Sequence, residues 1–277
     1  MEAPLTNNTR IDYLTIGHVS EDLVSDSRYI LGGTVSYSAQ TAKILQLKAG
    51  IVTSASPDAD LSELRGIPIV CRPALRSTTF ENRYGKSGRT QYIHHLARNL
   101  SIRDVPELWQ STPIIHLGPI AREIDANMVS SFEGSFVCLT PQGWLREWDE
   151  NGLISRSEWK GAFSVLPRVN AVVLSIEDVA GDWGYLEKWA ECTRVLAVTL
   201  GEKGATVFHN GIRVQLEAPK VKVVDPTGAG DVFASAFFIR LFQSNNPVSS
   251  GRFAVSMASS SVEHHGLRGV TDRSIEQ

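Results

Sequence analysis

Residues 223–242 read V-V-D-P-T-G-A-G-D-V-F-A-S-A-F-F-I-R-L-F, and the way this stretch divides decides the fold. Val223 and Val224 form an apolar strand end that runs into Asp225-Pro226-Thr227, and the residues after Asp231 make an apolar run long enough for a buried helix. The spacing therefore puts Gly228, Ala229 and Gly230 at a helix N-terminus. Two glycines in a first turn cost about 1 kcal/mol each relative to alanine, so a demand other than helix propensity selects them. An anion is such a demand. Bare backbone N–H groups can point at a phosphoryl group, and the helix dipole adds favourable potential. Asp231 brings a carboxylate to the same point. A negative charge beside an anion site is unfavourable unless it does chemistry, and accepting a proton from a hydroxyl that attacks the phosphoryl group is such chemistry. The competing explanation is a plain strand-turn-helix junction in which Thr227 caps the helix, the glycines turn the chain and Asp231 favours the dipole. It accounts for Thr227 but not for both glycines and Asp231.

As a whole, the string D-P-T-G-A-G-D resembles the C-terminal signature of the ribokinase-like (PfkB) family of carbohydrate and nucleoside kinases. The resemblance implies an α/β protein with a three-layer α/β/α ribokinase-like fold, a mainly parallel central sheet and, here, a reduced β lid. It also implies that Asp231 is the catalytic base and that the amides of Gly228, Ala229 and Gly230 form the anion hole, with Gly228 and Gly230 touching the nucleotide.

A chain of 277 residues, 42% of them hydrophobic, buries a large core, and the organisation expected is one domain over 1–277 with a small lid from about 23–31 and 68–97. A net charge of −3 without a basic run speaks against nucleic acid as the main partner. Cys71, Cys138 and Cys192 are scattered, odd in number and free of C-x-x-C spacing, which reads as reduced core thiols in a cytoplasmic protein. Residues 1–9 are polar and no stretch has the apolar length of a membrane span, so no membrane partner is expected.

Earlier in the chain, residues 11–19 look like a strand and 36–47 have helical apolar spacing, with Gly32-Gly33 between them. Gly17-His-Val-Ser-Glu-Asp22 resembles the first-strand pattern of the same family, which implies that Asp22 holds acceptor hydroxyls while Gly32 and Gly33 let backbone approach the ligand. Read alone, Asp22 fits better as a solvated loop carboxylate and Gly32-Gly33 as a turn, and Asp231 in the same chain reverses that preference. Only nine residues separate Asp22 from Gly32, so the lid is short, and the β-rich runs within 68–97 supply the rest of it. His94-His95 and His264-His265 are adjacent pairs whose members point apart on a strand, so neither reads as a metal site.

From Ile114 onward strand-like and helix-like runs alternate, including a helical stretch over 125–132 and another over 179–192, which argues for a parallel sheet with ligands at its carboxyl ends. After one strand, Gln142 or Arg146 faces the acceptor or a phosphate, with a surface loop as the other reading. After another, Ser175-Ile-Glu-Asp178 occupies the place of the family's Asn-x-x-Glu motif, which acts through hydrated Mg²⁺ and the nucleotide phosphates. Ser175 stands for the Asn, and Asp178, or Glu177 in a shifted register, for the Glu. Thr199, Gly201 and Gly204 resemble the family's nucleotide loop, although a hairpin explains the glycines too, and Asn210-Gly211 is a strong hairpin signal. Residues 253–262 read as a small-residue helix.

The resemblance implies an ATP- and Mg²⁺-dependent kinase acting on an alcohol group of a small polyol, a sugar or cyclitol. Some relatives use a monovalent cation such as K⁺ beside the anion hole, and Asp225 matches a ligand position for it. A nucleoside kinase is the alternative within the class, with Phe80, Tyr84 and Tyr92 as its base pocket; a non-catalytic sugar-binding regulator is the alternative outside it. The short, polar Ser25-Asp26-Ser27-Arg28 segment leads us to expect a monomer, or a dimer not built through the lid.

Overall fold

The computed structural model describes residues 9–25, 28–85 and 88–271. The polar N-terminal stretch, the centre of the Ser25-Asp26-Ser27-Arg28 segment and Lys86-Ser87 lie outside the described residues. In chain order the structure runs β1 (Tyr13–Ile16), β2 (Ser20–Ser25), β3 (Arg28–Gly32), α1 (Thr34–Ile44), β4 (Ala49–Ala55), β5 (Ile69–Pro73), β6 (Thr78–Gly85), β7 (Gly88–His95), β8 (Ile114–Leu117) and β9 (Phe136–Leu139). It continues with β10 (Arg146–Trp148), β11 (Ile154–Arg156), α2 (Ala162–Val165), β12 (Ala171–Ser175), α3 (Trp183–Cys192), β13 (Val195–Thr199), β14 (Ala205–His209), β15 (Ile212–Leu216), α4 (Ala229–Ser244), α5 (Pro247–Ser261) and α6 (Arg268–Thr271).

The main sheet has nine strands in the order β15-β14-β13-β12-β9-β8-β1-β4-β5. Strands β13 through β5 in that order pair in parallel, and β14 and β15 add an antiparallel edge. Parallel strands covered on both faces must be apolar throughout, and β1, β8 and β9 read Y-L-T-I, I-I-H-L and F-V-C-L. Alternate residues of each strand go to opposite layers. Tyr13, Ile114 and Val173 pack under α1, α4 and α5 with Val35, Phe233, Phe237 and Ala254. Leu14, Ile16, Ile115 and Leu117 pack on the other side with Trp109, Trp144, Trp159 and Trp189. This is the three-layer α/β/α arrangement that the family resemblance implies, around the parallel sheet expected from the alternation. Among the described residues, no helix is long and apolar enough to cross a membrane.

A second, four-stranded sheet runs β3-β2-β6-β7. Its inner face rests on the body through Phe80 and Ile93, which pack with Ile120, Ala121, Trp148 and Ile154. The expected lid segment 68–97 needs one correction: Ile69–Pro73 pairs in parallel with β4 and extends the main sheet, so only the residues from Thr78 onward join β2 and β3.

Three local expectations also change. Val223 and Val224 are not a strand; both are exposed, and the Val224 N–H donates to the Val262 carbonyl at 2.7 Å. The helix expected over 179–192 begins only at Trp183, because Ala180 and Gly181 take left-handed conformations (φ 50° and 79°) that end the short turn after β12. Residues 126–131 form a 3₁₀ helix in place of an α-helix. Cys138 is a buried thiol as expected, but Cys71 is exposed on the edge strand β5.

Candidate active site

Helix α4 begins at Gly228, whose left-handed backbone (φ 77°) favours glycine, and a Cβ there would lie 2.2 Å from the Tyr37 ring. No side chain caps the helix. Thr227, the cap in the competing plain-junction reading, is exposed and donates its N–H to Asp225 Oδ1 at 2.9 Å, while the Ala229 N–H turns back to the Pro226 carbonyl at 3.2 Å. Gly230 is different: it has ordinary helical geometry, and a Cβ built on it meets nothing within 4 Å. Packing accounts for Gly228 but not for Gly230, beside which there is open space at an uncapped helix start. That is the geometry an anion needs.

Asp231 lies in the first turn of α4 and is half-buried. Burial pushes its carboxyl pKa up to about 6, with Asp178 and Asp22 adding to the rise and the Thr34 hydroxyl and Arg146 opposing it. Thr34 Oγ1 donates to Asp231 Oδ1 at 2.7 Å. The four groups come from α1, β2, β10 and the turn after β12, so elements distant in sequence converge here. Gly118, at the end of β8, lies against both: a Cβ there would come within 2.6 Å of the Thr34 methyl and 3.3 Å of Thr140 Oγ1.

On the side expected to hold the acceptor, Asp22 sits on β2 with Ser20 Oγ donating to its Oδ1 at 2.9 Å. A Cβ on Gly32 would lie 2.7 Å from Asp22 Oδ2, and one on Gly33 (φ 87°) would lie 2.4 Å from the His18 carbonyl oxygen, so both glycines are required by close approach. Arg146 stands over the Phe80 ring at 5.8 Å, and Gln142 Nε2 donates to Asp178 Oδ1 at 3.2 Å. Both side chains are thus held by neighbours near Asp178 and Phe80.

Ser175 and Thr199 are neighbours in register at the ends of β12 and β13. Ser175 N–H donates to Asp178 Oδ2 and Glu177 N–H to Ser175 Oγ, a capping box that turns Asp178 inward while Glu177 is exposed. Of the two carboxylates left open by the sequence, Asp178 is the one close enough to Asp231 to affect it. Gly201 occupies an open turn, whereas Gly204 is fixed by packing, since its Cβ would lie 2.0 Å from the Leu216 carbonyl oxygen.

Asp225, which the resemblance places beside a monovalent cation, is engaged with the backbone. Its Oδ1 accepts the Thr227 N–H and its Oδ2 the Gly266 N–H at 3.0 Å, with His265 Nδ1 3.9 Å away. Burial works to raise its pKa, and these partners outweigh it, so the carboxyl lies below its ordinary value. The residue staples the loop before α4 to the turn after α5. Among the described residues no three His, Cys, Asp or Glu side chains gather into a metal cage. Mg²⁺ needs no such cage: it keeps several waters and takes one or two carboxylates together with substrate phosphates, which Asp178 near an uncapped helix start can supply.

The sequence left other supports undetected. Glu123 is buried and accepts the backbone N–H groups of His18, Ile120 and Ala121 at 2.7–3.0 Å, tying the loop after β1 to the loop after β8. Buried His116 joins Tyr13 (2.7 Å) to Thr140 (2.9 Å), and burial holds its pKa down at about 3, so it is neutral. An open groove of about 750 Å³ lined by Lys43, Arg240 and Phe253 contains none of the expected site residues.

Residues 179–273 match the pfkB family carbohydrate kinase profile. Over 254 residues the chain is 26% identical to the cytidine kinase of Thermococcus kodakarensis, covering 82% of this chain and 87% of that one. In structure it is similar to a pyrophosphate-dependent kinase in the ribokinase family complexed with a pyrophosphate analogue and myo-inositol (TM-score 0.80, 19% identity, 94% of this chain and 100% of that one). It is also similar to Arabidopsis thaliana ribokinase complexed with ribose and ATP (TM-score 0.70, 17% identity, 95% and 98%). With its C-terminal signature opening α4 within the residues that match the pfkB family carbohydrate kinases, the chain has the fold of the ribokinase-family structures, and these likenesses support a phosphotransferase acting on an alcohol group.

Proposed function

We propose that the chain phosphorylates a hydroxyl of a small polyol, a cyclitol or sugar, with ATP as donor and Mg²⁺ as the cation. Asp231 carries this reading: a half-buried carboxylate in the first turn of a helix without a side-chain cap, with its pKa brought close to neutrality. Asp231 accepts the acceptor's proton as the freed oxygen attacks the terminal phosphorus of the donor; the new O–P bond forms while the bond to the leaving phosphate breaks. The N–H groups at Gly228 and Gly230 and the dipole of α4 stabilise the negative charge of the transferring group. Asp22 and Arg146 orient acceptor hydroxyls, and Gly32 and Gly33 bring backbone close to the same ligand. Asp178, steadied by Gln142, would hold a hydrated Mg²⁺, whose charge would neutralise the donor phosphates. Ser175, Thr199 and Gly201 line the donor side.

The cyclitol is favoured by the likeness to the myo-inositol complex. A nucleoside acceptor draws support from the cytidine kinase relative; of the aromatic residues named for its pocket, Phe80 pairs with Ile93 on the inner face of the small sheet, Tyr92 pairs with Glu81 on the opposite face beneath Arg83, and the Tyr84 side chain lies outside the described residues. Pyrophosphate is a second reading for the donor, favoured by the same structural neighbour. A regulator that only binds sugar has no use for a base beside an anion site. Purified protein should be assayed for phosphoryl transfer to inositols, sugars and nucleosides with ATP and, separately, with pyrophosphate. We expect turnover with a cyclitol or sugar and ATP. Turnover confined to cytidine or other nucleosides would replace the acceptor class, turnover confined to pyrophosphate would replace the donor, and binding without transfer would leave the regulator.

A further inference from the structure

We infer that Thr34 is a positioning residue for Asp231: its hydroxyl fixes Oδ1, so that Oδ2 takes the acceptor's proton. This rests on Asp231 being the base. Thr34 is 3% exposed and is the first residue of α1, while the N-cap of that helix is Gly33. A threonine at a helix start ordinarily spends its hydroxyl on capping its own backbone. One residue past the cap, Thr34 sends it 197 positions along the chain to Asp231 Oδ1 at 2.7 Å.

The side chain has little room to do otherwise. Its methyl faces Gly118, where any Cβ would overlap it at 2.6 Å, and the preceding backbone is set by Gly33 in its left-handed conformation and by Ser36 Oγ donating to the Gly32 carbonyl at 2.7 Å. Thr34 also continues directly from Gly32 and Gly33, so the loop that approaches the acceptor and the clamp on the base are one piece of chain. The carboxylate is faced by Asp22 from β2, Arg146 from β10 and Asp178 from the turn after β12, as well as by Thr34 from α1. A hydrogen bond donated to Oδ1 stabilises charge on that oxygen and fixes the carboxylate plane, leaving Oδ2 as the more basic, oriented atom. Such a role is realised as the proton moves, so its loss should appear in kcat with little change in KM.

The test is a double-mutant cycle on the full chain with Thr34→Val, Thr34→Ser, Asp231→Asn and Thr34→Val/Asp231→Asn, using whichever acceptor and donor turn over in the assay above. Thr34→Val should lower kcat about 10- to 100-fold with acceptor KM nearly unchanged, the range of one charge-assisted hydrogen bond. Thr34→Ser should restore most of the rate, and Thr34→Val should have no further effect once Asp231 is Asn. In parallel, a ¹³C titration of the aspartate carboxyls, with Asp231 assigned by its absence in Asp231→Asn, should show its pKa moving upward in Thr34→Val and staying in Thr34→Ser. Thr34→Ala replaces Thr34→Val if the second methyl of valine unfolds the chain. Full activity in Thr34→Val, additive losses in the double variant, or an unmoved Asp231 titration overturns the inference. Full activity in Asp231→Asn instead overturns the base assignment on which it rests.

Discussion

At Asp231, function and stability oppose each other. The folded-state pKa of about 6 lies above the 3.8 of an ordinary aspartate, so the folded chain holds this proton more tightly than the unfolded one. Ionised Asp231 therefore destabilises the fold at neutral pH, and that penalty fades as pH falls through about 6 towards 4. A base must be ionised, so kcat/KM should fall below about pH 6 as one group takes up a proton. Asp231→Asn should raise the melting temperature at pH 8 and lose that advantage near pH 4; a lower melting temperature at pH 8 would show that the ionised carboxylate is not under strain. The two glycines beside it should separate in the same way. Gly228→Ala meets both a left-handed backbone and the Tyr37 ring and should cost about 2 kcal/mol or more. Gly230→Ala meets nothing and should be neutral or stabilising by up to about 1 kcal/mol, while weakening the donor several-fold in KM. Denaturant melts and donor kinetics on the two variants check this, and unchanged donor kinetics in Gly230→Ala would remove the anion from that position. Asp231 and Gly230 stood out in the sequence because their local cost has no local explanation, whereas Gly228 is also required by its left-handed backbone and the Tyr37 ring. Thr34 did not stand out, because a threonine after two glycines looks like a cap, and its partner lies 197 residues away. Glu123 was hidden for a related reason: a glutamate in a loop reads as solvated until three backbone N–H groups are found to converge on it.

At the scale of elements, periodicity separated strands from helices but not one sheet from another. The run I-V-C-R-P of β5 has the same character as the strands that follow it, and only its pairing with β4 assigns it to the main sheet. The break at Ala180-Gly181 was missed because alanine rarely adopts the left-handed conformation that ends the turn there. These corrections sharpen what closure over the site should look like. The small sheet rests on the body through few apolar residues, Phe80 and Ile93 among them, and its inner face carries Asp22, so under the proposed function it is the element expected to close over the acceptor. With acceptor and a non-hydrolysable donor analogue bound together, amide hydrogen exchange should slow in β2, β6 and the described part of β7. It should remain unchanged in β5. Protection spread equally over β5, or absent from β6, would contradict a moving small sheet.

Across the whole molecule, the site lies where the strand order reverses. From β1 the chain builds outward to β4 and β5, then crosses to β8 and builds the other way, and the loops after β1 and β8 part at that point. Gly17 and Gly118 allow those two strand ends to approach, since a Cβ on Gly17 would lie 2.4 Å from the Gly118 carbonyl oxygen, and Glu123 ties the loops together. Into that opening α4 directs its uncapped end, α1 brings Thr34, and the small sheet brings Asp22. An alternating pattern of strands and helices was enough to foresee a crevice at the carboxyl ends. Which side chains meet in it depends on contacts between α1 and α4 that no local spacing encodes. The most direct test is single-turnover phosphoryl transfer by Asp231→Asn at pH 8, with donor and acceptor binding measured on the same sample. Binding of both ligands should stay near that of the unaltered chain while the transfer rate falls by about 10²–10⁴, the range for losing a general base. Transfer at an unchanged rate would show that Asp231 does not take the proton.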